Sequence, residues 1–237
     1  SQKERLRAIN ADLASLQTTF GQHVLSEVND SAVLVETREE LRGLSPTAIT
    51  AAADAADARG FSGKYVISLL NTSGQPILQN LENRALREKL MQTSLDRGSR
   101  GGDFDNRSIV AQIASLRAER AALLGYTTHA EYSLERQTAG SVSAVNQRLA
   151  GLAPTAVSNA RREARDLQTL ITSSEESHSL QQWDWSYYTE KLRSNRYDFD
   201  ATKLRPYLEL NNVLFNGVFY AANRLYGISF KERTDLP

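Results

Sequence analysis

His23, His129 and His178 are the only imidazoles of the chain, and with no cysteine present there is no thiolate to join them as a zinc ligand. A helical zinc site needs two imidazoles one turn apart, so that both grip the ion while a glutamate between them works on its bound water. No His-Glu-x-x-His occurs, and the three histidines lie far apart in the sequence. Glu175 and His178 have the Glu-x-x-His spacing that di-iron bundles use twice. Here it occurs once, inside the serine-rich stretch TSSEESHSLQQ, and reads as solvated side chains. His23 sits on a helix flank and His129 opens a helix behind Thr127 and Thr128, so both read as surface or capping residues. No metal ligand is assigned.

Other chemistry is equally thin. GSRGGD, from Gly98, lacks the Gly-Lys-Ser/Thr ending of a phosphate-binding loop and reads as a flexible connector. No serine occupies a Gly-x-Ser-x-Gly elbow. The acidic residues form no pair that sequence alone brings together for acid–base work. RREARDLQ, around Arg161, alternates charge along a helix, the mark of a solvated face. No catalytic residue is assigned.

One stretch concentrates aromatic surface beside charge. QQWDWSYYTEKLRSNRYDFD, residues 181–200, holds both tryptophans and six of the eighteen aromatic residues. Asp184 is placed to cap a helix whose Trp185, Tyr188 and Leu192 fall at i, i+3 and i+7 on one buried face. Trp183 and Tyr187 flank them. Trp183, Tyr187 and Tyr188 are the candidates for a ligand-facing wall, the alternative being that they fill an interface between helices.

The elements that carry these residues are mostly helical. Ile9, Leu13, Leu16, Phe20 and Val24 follow three-four spacing and predict a long amphipathic helix. Pro46 heads an alanine-rich helix that Gly60 closes. KYVISLL, from Lys64, is the first strand candidate. Further helices are predicted over ENRALREKLMQTSLDRG, over Ile109 to Leu124 with Gly125 as its stop, and from Thr128. A very long one runs from Val142 to Ile171, its stripe of Val142, Val145, Leu149, Leu152, Leu167 and Leu170 interrupted at Pro154, where a kink or break is expected. A polar loop covers 172–182. Asp200 is placed to cap a last helix with Pro206 in its early turns, Leu204, Leu208, Leu214, Val218 and Leu225 on its core face, and Gly227 as its stop. ISFKER then alternates as a second strand. The reading is mainly α: a single multi-helix domain over 1–237 with two short strand segments.

Composition narrows function by exclusion. The chain has 237 residues, ample for a buried core, with 28 basic and 28 acidic residues that cancel. Zero net charge removes the electrostatic footprint of a nucleic-acid binder. No apolar run approaches the roughly 20 residues that cross a bilayer. Absence of cysteine suits the cytoplasm and the bacterial periplasm alike. The first residue is not Met, which points to a cut or processed chain.

Eight blocks in order carry a resemblance: FGQHVLSEVNDSAVLV, ELRGLSPTAI, LLNTSGQP, NRALREKL, DNRSIVAQIASLRAERAALLGY, QQWDWSYYTEKLR, LRPYLELNNVLFNGVFYAANRLYGISF and KERTDLP. Over nearly the whole length the chain resembles the N-terminal and middle part of bacterial peptidyl-dipeptidases, or dipeptidyl carboxypeptidases, of the thimet-oligopeptidase-like zinc metallopeptidases. QTAGSVSAV departs from that pattern, which more often has Met-Ala before a proline-containing turn. The resemblance implies the upstream part of a zincin-like oligopeptidase fold, peptide substrates and release of C-terminal dipeptides by a zinc-activated water. It also implies that the His-Glu-x-x-His lies downstream of the Leu-Tyr-Gly-Ile segment, beyond this chain, so that zinc ligands lie outside it and the chain alone binds none. Trp183, Tyr187 and Tyr188 then become substrate-cleft candidates. Surfaces near ISFKER are expected to meet the remainder of the same polypeptide or to self-associate. The alternative is a stand-alone helical binding or scaffold protein descended from such a peptidase.

Overall fold

The structure is a computed structural model that describes residues 1–70, 74–174, 178–197, 204 and 207–235. Its residues fall into two compact units, 1–190 and 191–237.

In the first unit, α1 (Gln2–Asp30) packs on α4 (Arg107–Leu123). The predicted stripe buries Ile9 and Leu13, while Leu16 and Val24 are only partly covered and Phe20 is exposed. Arg5 donates to both oxygens of Glu119 at 2.6 Å, tying the two helices near one end. β1 (Val33–Val35) follows α1 and pairs antiparallel with β2 (Tyr65–Ile67), in the register Val33 with Ile67 and Val35 with Tyr65. Alternation turns Val33 and Val35 inward.

α2 (Pro46–Asp57) lies against β2. Ser45 caps it by accepting from Ala48 N–H, and Pro46 occupies the first turn, where a missing N–H costs nothing. α3 (Arg84–Leu95) is capped by Asn83 and buries Leu86 and Leu90. These residues join Val33, Val35, Leu41, Ile67 and Leu78 in one core. Gly43 lets two loops close over that core. Its φ is +90°, and an added Cβ would stand 1.9 Å from the Asn80 carbonyl oxygen.

α5 (His129–Leu134) starts where the sequence predicts, and its cap is Thr128, which accepts from the Glu131 N–H. α6 (Val142–Ser173) runs unbroken through Pro154, so the expected break is absent. Proline withholds one N–H from the helix ladder, and the flanking turns retain theirs. The apolar stripe of α6 is also not a core face along its length: Leu149 is 57% and Leu152 52% exposed, while Leu167 and Ile171 are buried. α7 (Gln182–Tyr197) follows the polar loop.

In the second unit, α8 (Leu210–Val213) leads through a π-helical segment, Leu214–Phe219, into α9 (Tyr220–Tyr226). Glu209 supplies the cap of α8 by accepting from the N–H groups of Asn211 and Asn212. Asp200 and Pro206 lie outside the described residues. Gly227, at φ +67°, ends α9 as predicted. The expected core face is instead open: Leu208 is 69% and Leu225 72% exposed. The segment 228–233 is not a strand. A strand needs a neighbour to receive its backbone hydrogen bonds, and among the described residues β1 and β2 pair only with each other. Phe230 is held by its ring, stacked 4.2 Å from that of Phe219. The chain is thus mainly α with two short strands, but the second strand is β1 rather than ISFKER.

Candidate functional site

The aromatic and charged stretch at the start of α7 builds a buried ionic clamp. Asp184 lies in the first turn of the helix rather than at its cap, and its Oδ2 accepts from the Gln181 N–H at 3.1 Å. That position aims the carboxylate at α3. Arg84 and Arg87 are three residues apart on α3, which puts both guanidinium groups on one face. Arg84 Nη2 reaches Asp184 Oδ2 and Arg87 Nη2 reaches Oδ1, each at 2.9 Å. Arg87 is 1% exposed and Asp184 0%.

A buried arginine is tolerable only when its donors are used. Arg87 Nη1 donates to the carbonyls of Leu81 and Glu82 at 2.9 Å, and its Nε donates to that of Trp183 at 3.2 Å. Its guanidinium also lies 4.1 Å from the Tyr187 ring centroid, and that of Arg84 lies 5.5 Å from the Trp183 ring. Burial pushes the Asp184 carboxyl up, but the hydrogen bonds of Arg84, Arg87 and Gln181 outweigh it and hold the group below the ordinary carboxylate value. A carboxylate whose two oxygens are occupied by donors has no room to take a proton from a reacting group. Its chemistry is to fix α7 on α3.

Of the three aromatic candidates, Trp183 and Tyr187 lie on the clamp's guanidinium groups and Tyr188 packs on Tyr187. Tyr187 and Tyr188 are buried, with ring centroids 5.1 Å apart, and Trp183 is partly covered. Trp185 and Leu192, expected on the buried face, are only partly covered. His178 stands beside them, its Nε2 3.5 Å from the Tyr188 hydroxyl and 3.9 Å from Asp184. It is therefore not the solvated loop side chain that its serine-rich surroundings suggest. Glu175 lies outside the described residues.

Arg84 and Arg87 are the residues that sequence reading missed. Their signal was present in NRALREKL, two arginines three apart on a helix, in a chain that elsewhere sets Asp184 between two tryptophans. The loop around Gly98 also differs from a flexible connector. Glu27 on α1 pairs with Arg100 at 3.1 Å and accepts from the Gly98 N–H, and Asn106 Nδ2 donates to the Phe20 carbonyl at 3.2 Å. His23 Nδ1 meets Asn106 Oδ1 at 3.1 Å, which makes His23 a brace for the loop. Among the described residues no three His, Asp or Glu side chains converge as a metal site.

Comparison with known proteins supplies the wider context. The family model of peptidase family M3 matches residues 77–237. This chain belongs to peptidase family M3. It is 36% identical over 235 residues to the dipeptidyl carboxypeptidase of Escherichia coli, which covers 99% of this chain and 34% of that protein. It is 33% identical over 242 residues to the organellar oligopeptidase A of Arabidopsis thaliana, covering 99% of this chain and 30% of that protein. It is 32% identical over 238 residues to the oligopeptidase A of E. coli, covering 99% and 35%. The chain thus spans about a third of the length of the M3 relatives it matches. No helix among the described residues is long and apolar enough to cross a membrane.

Proposed function

We propose that residues 1–237 form the upstream, non-catalytic helical portion of a zinc metallopeptidase that removes dipeptides from the C-termini of peptides. The observation that carries this reading is the 36% identity to a dipeptidyl carboxypeptidase across 99% of the chain. The lower 32% identity to an oligopeptidase A of the same organism favours the dipeptide-releasing branch. The zinc ligands and the general base of such an enzyme do not fit on this chain. The sequence has no His-Glu-x-x-His, and His23 and His178 face Asn106 and Tyr188 rather than a shared centre. No step through zinc is therefore derived for these residues.

In this reading the Asp184 clamp sets one wall of the substrate cleft. Tyr187 and Tyr188 support it from within, and Trp183 contributes the ring with surface left for a peptide. The partners are peptide substrates and, on the exposed surfaces, the remainder of the same polypeptide or a second copy of the chain, with no nucleic acid and no membrane. The test has two parts. Purified 1–237 is expected to hold no stoichiometric zinc and to release no dipeptide; one tightly held zinc per chain together with dipeptide release overturns the reading. The reading frame is expected to code a His-Glu-x-x-His beyond Pro237, whereas a stop codon there supports a stand-alone helical scaffold.

A further inference from the structure

A groove runs between α1 and α4 in the first unit. One stretch of about 390 Å³ is lined by Gln17, Phe20, Val110, Ile113, Ala114 and Arg117. It adjoins a second of about 370 Å³ through the shared side chains of Phe20 and Val110. Both are exposed although they belong to faces that otherwise bury apolar groups. The loop that closes the second stretch is fixed by the Glu27–Arg100 pair and the His23–Asn106 contact, so the groove exists before anything enters it.

Its far end is positive: Arg117 lines it and has no carboxylate partner among the described residues. Arg120, one turn further along α4 and outside the groove lining, has none either, its contacts being the Asn10 amide oxygen at 3.3 Å and the Tyr132 ring at 5.2 Å. Three nearby acids are committed elsewhere, Glu119 to Arg5, Glu131 to the Thr127 N–H and Glu135 to the Tyr126 hydroxyl, while Asp12 of α1 lies beside Gln112 and Ser115 rather than in the groove lining. Arg120 Nε and His129 Nδ1 are buried with no hydrogen-bond partner, two nitrogen atoms that a native fold seldom leaves unmet. Burial, together with the charges of Arg117 and Arg120, holds the His129 pKa below its ordinary value, as expected where positive charge lacks a counter-charge.

We propose that the α1/α4 groove docks an acidic, apolar peptide segment, with its aliphatic or aromatic side chains over Phe20, Val110 and Ile113 and a carboxylate on Arg117. Charge complementarity selects this occupant. A purely apolar segment would leave the guanidinium desolvated and unpaired, and a basic one would meet repulsion.

The probe is a fluorescein-labelled Leu-Phe-Leu-Glu-Glu amide peptide, titrated with the 237-residue chain by fluorescence anisotropy. Saturable binding is expected, weakened about tenfold when both glutamates are replaced by glutamine, the scale of one charge-assisted hydrogen bond. Arg117→Gln should weaken it by a similar factor, Arg117→Lys less, and Val110→Glu should abolish it while circular dichroism shows an unchanged fold. Arg148→Gln, a change on α6, should leave it alone. Equal affinity for the acidic and neutral peptides overturns the proposal, as does unchanged binding in Arg117→Gln. Saturation by dodecanoate with neither peptide binding would overturn it in favour of a lipid-like ligand.

Discussion

The two units use their aromatic residues in opposite ways. In residues 1–190, Tyr187 and Tyr188 are buried, and their rings, with that of Trp183, help to desolvate an ionic clamp of Asp184, Arg84 and Arg87. In residues 191–237 the rings meet mainly one another, Phe215 on Phe219 and Phe219 on Phe230, while Tyr207, Tyr220 and Tyr226 stay largely open. The ion pair described there is Arg233 with Asp235, two residues apart and exposed. Folding in the first unit has closed its own core. The second unit presents an apolar surface of the kind that in soluble proteins marks a meeting place with another surface. In the reading proposed above, that surface is covered by the remainder of the polypeptide or by a second copy.

The largest effect that would break this contrast is loss of the clamp. Asp184→Ala leaves Arg87 buried without its counter-charge, a change worth about 3–5 kcal/mol. Urea unfolding followed by tryptophan fluorescence checks it, and a loss below about 1 kcal/mol would make the clamp incidental. The same carboxylate predicts an acid response. Its folded pKa is depressed, so its contribution is fully present above the unfolded value of 3.8 and is lost as pH falls through the lower folded value. Stability of the parent chain should therefore fall on acidification below about pH 4, and Asp184→Asn should flatten that part of the profile. A smaller loss, about 2–3 kcal/mol, is expected for Gly43→Ala, which combines a positive φ with a Cβ driven against Asn80. If thermal unfolding shows no change, the loops over the core are free to move apart.

The same contrast explains what was legible in the sequence. Helices with local signals were readable: Pro46 at the head of α2, a start near Thr128 for α5, Gly227 at the end of α9. Local capping chemistry acts within a few residues, so a sequence displays it directly. The strand at Val33–Val35 was missed and one at 228–233 wrongly expected, because a three-residue strand is defined by its partner across the sheet rather than by its own composition. The clamp was half legible. The rings and Asp184 stood out, but their meaning depended on two arginines 97 and 100 residues away in sequence. Periodicity marked Leu149, Leu152, Leu208 and Leu225 as apolar faces without saying whether anything covers them.

Within the second unit, ring stacking should matter more than any single exposed side chain. Phe230→Ala removes a stacked pair with centroids 4.2 Å apart, worth about 1 kcal/mol, and so should loosen the C-terminal turn of the unit. Hydrogen exchange of 210–230 should accelerate while that of α3 stays protected. Acceleration in both regions would mean that the two units unfold together and that the contrast between them is not energetic.

The smallest expected effect on stability comes from Leu225→Glu. Leu225 is 72% exposed on α9, so replacing it removes little buried area and should change unfolding free energy by less than about 0.5 kcal/mol. Its effect should fall on association instead. If the open face of the second unit is made to meet another surface, a charge at its middle costs desolvation on contact, and self-association of the 237-residue chain should weaken. Sedimentation velocity over a concentration series distinguishes the outcomes. A parent chain that associates and a Leu225→Glu variant that does not would tie the apolar face to assembly. If both remain monomeric at high concentration, a second copy is removed as the partner of that face.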